Sequence, residues 1–237
     1  MKVVVALAGE MEATDLLRER VRDADLIVAA DNGASRLVAI GLKPDRIIGD
    51  FDSIDPALLA ELQMAGADAV AHPDPQNKTD GQVAMELALE GGAREIVLLG
   101  THGGLRADHT LANLLFAVTP LYAVNGRGQA VQVTVIDGWT EAVGLGVGPE
   151  WDAPERRSVQ FTGTAGDYVS LVPISAAVEG IETAGLRWSL REARLTLGQA
   201  EGVSNELAED EGGFTIGSGI ALATHQFSSR ASEQARR

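Results

Sequence analysis

Arg46-Ile47-Ile48-Gly49-Asp50-Phe51-Asp52-Ser53-Ile54-Asp55-Pro56 reads as a strand, an acidic turn and the start of a helix. Arg46-Ile47-Ile48 suits a short buried strand. Asp55 ahead of Pro56 marks a helix N-terminus: aspartate accepts from the free N–H groups, and proline at the first helical position has no N–H to lose. The same alternation runs outward in both directions. Upstream come an apolar run at 3–7, helical composition over 10–21, a buried strand at 25–30 and a short helix over 33–41. Downstream follow a weak strand at 69–71, a helix over 80–90 stopped by Gly91-Gly92, a buried strand at 95–99 and a helix over 107–118 ended by Pro120. Continuously apolar strands alternating with helices predict a parallel sheet covered on both faces.

Helical periodicity fades after about Val124. Short strands separated by glycine-rich turns take over, at 131–136, 158–161, 168–173, 194–197, 214–216 and 220–224. That pattern predicts a small all-β sandwich or barrel. Residues 144–157, rich in Gly, Pro and charge, read as a loop, and 228–237 as a polar, frayed tail. The expected organisation is an N-terminal parallel-sheet α/β domain over 1–127, followed by a smaller all-β sandwich domain over 128–227.

The 237-residue length fits one large domain or two small ones, and 45% hydrophobic residues supply a core. The net charge of −15 argues against a nucleic-acid partner, which needs a basic footprint to replace condensed counterions. With no cysteine, disulfides, zinc–thiolate sites and cysteine nucleophiles are excluded. The apolar start at 3–7 is too short for a signal sequence and is followed by Glu10 and Glu12, so it reads as a buried first strand. The longest apolar stretch, near 114–124, is broken by Thr119 and Pro120 and is too short to span a membrane. A cytoplasmic enzyme is expected.

In an open parallel sheet, ligands bind outside the carboxyl ends of the strands. Polar clusters stand at such ends here: Asp31-Asn32-Gly33, Asp50-Phe51-Asp52 and Gly100-Thr101-His102-Gly103-Gly104. Asn77-Lys78-Thr79-Asp80 precedes a helix and joins the same rim. Asp50 and Asp52, two residues apart on a turn, can address one cation. Magnesium takes a few carboxylates together with water and substrate phosphates, and neutralises charge on a transferring phosphoryl group. The glycine loop ahead of the 107 helix can turn backbone N–H groups toward phosphate, and Arg106 can add a forked cation. Taken singly, each cluster is also an ordinary turn or helix cap; their shared position at strand ends is what makes a site.

These motifs, in this order, resemble the thiamine pyrophosphokinase family along nearly the whole chain. Ala30-Asp31-Asn32-Gly33 is similar to its Ala-Asp-Gly-Gly element, and Gly49-Asp50-Phe51-Asp52-Ser53 matches Gly-Asp-x-Asp-Ser. Thr79-Asp80 matches its Thr-Asp, and Gly103-Gly104-Leu105-Arg106-Ala107-Asp108-His109 resembles Gly-Gly-Arg-x-Asp-His. Gly185-Leu186-Arg187-Trp188-Ser189-Leu190 resembles the family's aromatic-bearing strand, and Ser204-Asn205 its Ser-Asn pair. The chain departs from the family at Asn32 in place of glycine, at Gln76-Asn77 ahead of Thr-Asp, and at Leu105, which looks inserted.

The resemblance implies transfer of diphosphate from ATP to the hydroxyl of thiamine, giving thiamine diphosphate and AMP. It implies a homodimer with active sites at the interface. It assigns Asp50, Asp52 and Asp80 to magnesium, and counts these with Asp108 as catalytic. ATP and its phosphates would meet Asp31, Asn32, Gly33, Ser53 and Thr79 on one side, and Gly103, Gly104, Arg106 and His109 on the other. Thiamine would meet Trp188, Ser204 and Asn205. Three rival readings are a pterin-type pyrophosphokinase, a nucleotide-sugar glycosyltransferase using Asp50-Phe51-Asp52 for its metal, and a non-catalytic thiamine- or nucleotide-binding module. Trp188 and Ser204-Asn205 argue against the first, and the number of converging carboxylates argues against the last.

Overall fold

The computed structural model describes residues 1–72, 78–103, 106–119, 123–148 and 156–227. The chain divides into two compact units: residues 1–116 with 124–138, and residues 117–123 with 139 onward.

The first unit is α/β. Strands β1 (Lys2–Ala6), β2 (Leu26–Ala30), β3 (Arg46–Gly49), β4 (Asp68–Ala71), β5 (Glu95–Leu99) and β6 (Gln132–Asp137) lie side by side in the order β6-β5-β1-β2-β3-β4. Every neighbouring pair is parallel. Val3–Ala6 on β1 and Ile96–Leu99 on β5 are inaccessible to solvent, because helices cover both faces. That double burial is why these strands are apolar without alternation. β4, at the sheet edge, is only partly covered.

Five helices connect the strands: α1 (Asp15–Val21), α2 (Gly33–Ala39), α3 (Pro56–Met64), α4 (Asp80–Glu90) and α5 (Ala107–Leu115). Local chemistry sets their starts. Thr14, Asp55 and Thr79 each accept a backbone N–H into the side chain, and Pro56 occupies the first turn of α3. α1 is shorter than the 10–21 composition suggests, and α5 stops at Leu115, with Phe116, Ala117 and Val118 forming a turn. From β1 the chain passes to β2 on one side, whereas β5 pairs with the other side of β1. The loops after β1 and β5 stay joined, the Gly9 and Glu10 N–H groups donating to the Gly100 and His102 carbonyls at 3.0 and 2.8 Å, and the cleft opens where they meet the carboxyl ends of β2 and β3.

Gly33, the first residue of α2, sits against this sheet. A Cβ built there would lie 2.3 Å from the Ala6 carbonyl oxygen, so a side chain would wedge the helix off β1. Gly33→Ala is expected to lower the thermal midpoint by about 5 °C, from an overpacking cost of about 1–3 kcal/mol. Differential scanning fluorimetry reads this directly; an unchanged midpoint would show that the contact relaxes freely.

The second unit is all β. Strands β7 (Thr140–Val147), β8 (Ser158–Thr162), β9 (Tyr168–Pro173), β10 (Ala177–Ala184), β11 (Ala193–Thr196), β12 (Asn205–Glu206), β13 (Glu211–Thr215) and β14 (Gly219–Gln226) form two antiparallel layers. Their orders are β12-β9-β14-β7 and β11-β10-β13-β8. Phe161, Leu171, Ile181 and Phe214 lie in one buried cluster fed by both layers. Along β9 and β14 buried residues alternate with accessible ones, as expected of strands with one face inward.

Three sequence expectations change here. The strand expected at 131–136 belongs to the parallel sheet as β6, paired with β5. The expected loop 144–157 begins inside β7. Gly144 is there for close approach: a Cβ on it would lie 1.8 Å from the Ala117 carbonyl oxygen. Residues 149–155 of that segment lie outside the described residues, as do Gln76-Asn77, Gly104, Leu105, Pro120 and the tail 228–237. β10 was not foreseen, because its register shifts between Glu179 and Ile181 around Gly180, and the shift breaks the period-two pattern.

Candidate active site

The acidic turn after β3 is held by backbone that ordinary side chains rarely adopt. Phe51 has φ 62° and Asp31, at the end of β2, has φ 45°. Non-glycine residues in this left-handed region carry strain of about 1 kcal/mol each, and such strain collects at functional sites. The Asp31 N–H donates to the Ile48 carbonyl at 2.8 Å, which ties the end of β2 to β3. The Asp52 N–H donates to Asp50 Oδ1 at 3.2 Å and closes the turn. As a result, one carboxylate oxygen from each of Asp31, Asp50 and Asp52 lies within 4.8 Å of the others.

Asp80 joins them from the N-terminus of α4. Its carboxyl lies 3.4 Å from where a Gly49 Cβ would stand, at ordinary contact distance, which places it at the end of β3 beside the acidic turn. The Ser53 hydroxyl donates to Asp31 Oδ2. Asp31 Oδ1 is buried and has no hydrogen-bond partner among the described residues. The electrostatics are those of an unneutralised cluster. Asp50 beside it is the main cause raising the Asp52 carboxyl above the usual aspartate range, with burial and Asp31 adding to it. Burial raises Asp80, and Asp31, Asp50 and Asp52 raise it further. Oxygen donors this close, with an orphaned buried oxygen among them, fit a hard divalent cation.

These residues line a cleft of about 600 Å³ at the carboxyl ends of the strands. Asp31, Asp50, Asp52 and Ser53 form one wall, and Thr79 and Asp80 enter from α4. Gly103, Arg106 and His109 stand across from them, from the loop before α5 and from α5 itself. Asn32, Gly33 and Asp108, all site candidates from the sequence, are not among the lining residues. Asp108 is held in a bidentate pair by Arg106, which does line the cleft: Nε donates to Oδ1 at 2.9 Å and Nη2 to Oδ2 at 2.6 Å. The guanidinium holds the Asp108 carboxyl far below the usual aspartate range.

The cleft also contains residues to which the sequence assigns no role of their own, Lys78 and Thr101 among them although both stand in the rim clusters. Ala8 and Gly9, directly after β1, line it, and a glycine following the first apolar strand was the available signal. Lys78 is bound to Glu86 at 2.6 Å on α4, and Asn113 comes from α5. Thr101 carries a buried hydroxyl with no hydrogen-bond partner among the described residues.

Trp188, Ser204 and Asn205 lie together in the second unit. Trp188 is not on a regular strand but on the connection between β10 and β11, where Leu186 makes an isolated bridge to Leu207. Its side chain is 51% exposed, unusual for tryptophan, and the Arg187 guanidinium lies 4.9 Å from the centre of its ring. Ser204 has φ 64°, and its N–H donates to Ser170 Oγ at 3.0 Å.

Comparison with known proteins agrees with both halves. The family described as thiamin pyrophosphokinase, catalytic domain, matches residues 17–125, and the family described as thiamin pyrophosphokinase, vitamin B1 binding domain, matches residues 156–221. The thiamine pyrophosphokinase of Bacillus subtilis is 27% identical over 197 residues, which are 83% of this chain and 85% of that protein. The crystal structure of thiamin pyrophosphokinase from Geobacillus thermodenitrificans superposes with a TM-score of 0.74 at 25% identity, covering 97% of this chain and 99% of that one. The crystal structure of the Bacillus subtilis enzyme gives a TM-score of 0.78 at 23% identity, covering 96% and 100%.

A parallel α/β unit with a carboxylate-lined cleft at its switch point, joined to an all-β unit with a vitamin-binding signature, defines a transferase of the kinase class. The chain belongs to the thiamine pyrophosphokinase family.

Proposed function

We propose that this chain transfers the diphosphate of ATP to the hydroxyl of thiamine, releasing thiamine diphosphate and AMP, as a magnesium-dependent homodimer in the cytoplasm. The observation that carries the reading is the cluster of Asp31, Asp50 and Asp52 oxygens within 4.8 Å of one another, inside the cleft.

Asp50, Asp52 and Asp80 would hold the magnesium ion. Bound there, it would supply charge neutralisation on the diphosphate in flight. The protein's own part is positioning. Asp31 orients Ser53 through the hydroxyl hydrogen bond, and Thr79 fixes the first turn of α4, so both bear on the phosphate chain from the strand side. Gly33 would act one layer behind, by letting α2 approach β1, while Asn32, the residue before it, would meet the phosphates by its backbone. Gly103 and Gly104 would offer backbone N–H groups to phosphate oxygens, and His109 would add a ring N–H. Arg106 would exchange its pair with Asp108 for a phosphate, a change its exposed position permits. The thiamine hydroxyl would then attack the β-phosphorus in line with the departing AMP oxygen, and its proton would pass to Asp80 or Asp108.

The parallel-sheet unit, residues 1–116 with 124–138, would form the catalytic part, and the all-β unit the part that binds thiamine, with both contributing to the dimer. Trp188 would stack on the thiamine pyrimidine, with Ser204 and Asn205 beside it. The homodimer has support in α5, which buries none of its residues and leaves Leu111 62% exposed. An apolar helix face in that state is suited to cover by another chain. Incubation of the purified protein with ATP, magnesium and thiamine is expected to release AMP in step with thiamine diphosphate. Release of ADP instead, or AMP release that ignores thiamine, would overturn the reading.

A further inference from the structure

We infer that Asn205 is a positioning residue: its carboxamide clamps the backbone of Trp188, and so holds the indole as a preformed stacking platform. The inference rests on the proposal that Trp188 stacks on the thiamine pyrimidine, and it assigns Asn205 a part in that binding exerted through Trp188.

Among the described residues the segment carrying Trp188 makes one isolated bridge, and it is anchored rung by rung to residues 205–208. The Ala208 N–H donates to the Gly185 carbonyl at 2.8 Å. Leu186 bridges to Leu207. The Arg187 N–H donates to the Glu206 carbonyl at 2.9 Å. At the next rung the backbone ladder stops and the Asn205 side chain replaces it. The Trp188 N–H donates to Asn205 Oδ1 at 3.1 Å, and Asn205 Nδ2 donates to the Trp188 carbonyl at 2.7 Å. A carboxamide presents one donor and one acceptor side by side, as a peptide group does, so it can serve both polar groups of one residue. Oδ1 also accepts from the Glu206 N–H at 2.9 Å, which fixes the carboxamide's own orientation.

Both acceptor sites of Oδ1 and one N–H of Nδ2 are thereby engaged inside the protein, and Asn205 is buried. One N–H remains, so little of the group is left for substrate. The indole, by contrast, is half exposed and gains little from packing. Its orientation depends on backbone restraint and on Arg187. That guanidinium lies over the ring and is itself fixed by Glu206 Oε2 at 2.7 Å. With Arg187 on one face, a ligand would stack on the other. Preorganising an exposed aromatic in this way lowers the ordering cost that binding would otherwise meet.

Two measurements on the full chain test this. The first uses Trp139→Phe with Trp151→Phe, which leaves Trp188 as the sole tryptophan. Asn205→Ala is expected to raise the amplitude of the fast component of the fluorescence anisotropy decay about twofold without ligand. Asn205→Asp keeps the volume and the acceptor but loses the donor to the Trp188 carbonyl, so it should show an intermediate rise and serves if the alanine variant folds poorly. The second is a double-mutant cycle on the KM for thiamine. Trp188→Ala and Asn205→Ala are each expected to raise it about tenfold, the double variant to match Trp188→Ala alone, and the KM for ATP to hold within about twofold. Multiplying effects in the double variant, or an unchanged anisotropy decay, would overturn the clamp while leaving the substrate reading in place. An unchanged thiamine KM in Trp188→Ala would overturn the stacking assignment, and the inference with it.

Discussion

Asp52→Asn is expected to lower kcat by about a thousandfold or more, on the scale seen when a group stabilising developing charge in a transition state is removed. Asparagine keeps the shape and the backbone N–H that closes the turn onto Asp50 Oδ1. It removes one anionic oxygen from a set crowded within 4.8 Å. The effect on stability should run the other way. The Asp52 carboxyl is raised above the usual range, chiefly by Asp50, so its ionised form is disfavoured in the folded chain relative to the unfolded one. A raised acid contributes instability once it ionises, and the neutral isostere removes that. The thermal midpoint in metal-free buffer should therefore hold or rise while turnover collapses. Loss of function with retained or increased stability is the mark of a residue kept for chemistry and not for folding. Near-normal turnover would remove Asp52 from the metal assignment.

Trp188→Ala should act on the other substrate. Stacking of a base on an aromatic ring is worth about 1–3 kcal/mol, so the KM for thiamine should rise about 5- to 150-fold. The indole is half exposed, so its loss should leave the melting temperature nearly unchanged. The KM for ATP should also hold, because no ATP contact is assigned to this residue. Steady-state kinetics with each substrate varied in turn separates the two. A parallel rise in both constants would place Trp188 in the architecture of the site and not on thiamine.

Paired with Asp52→Asn, this variant divides the reaction between the two units. One substitution should stop turnover with the protein intact, and the other should weaken capture of the acceptor alcohol. A glycosyltransferase using the same acidic turn would respond to the first but has no reason to respond to the second.

The sheet was legible in the sequence because doubly buried strands must be apolar throughout, and runs such as Val3-Val4-Val5 and Ile96-Val97-Leu98-Leu99 have few other uses. The helix starts were legible because caps are local: Asp55-Pro56 and Thr79-Asp80 announce themselves within a turn. β7 and β10 were not, since glycines serving close backbone approach or a register shift look like loop glycines until the neighbouring backbone is known. For the same reason Gly33 read as a phosphate-loop residue, whereas its nearest neighbour is the Ala6 carbonyl.

The acidic turn shows where each kind of information ends. Sequence by itself determined that Asp50 and Asp52 follow a buried strand and precede a capped helix, because strand burial and capping depend on nearest neighbours along the chain. Only the tertiary structure decided that Asp31 completes the cluster, that Asp80 stands beside Gly49, and that Asp108 pairs with Arg106. Those outcomes depend on parallel pairing between strands distant in sequence and on competition among charges for partners. Both are settled by distances across the fold, which no reading along the chain contains.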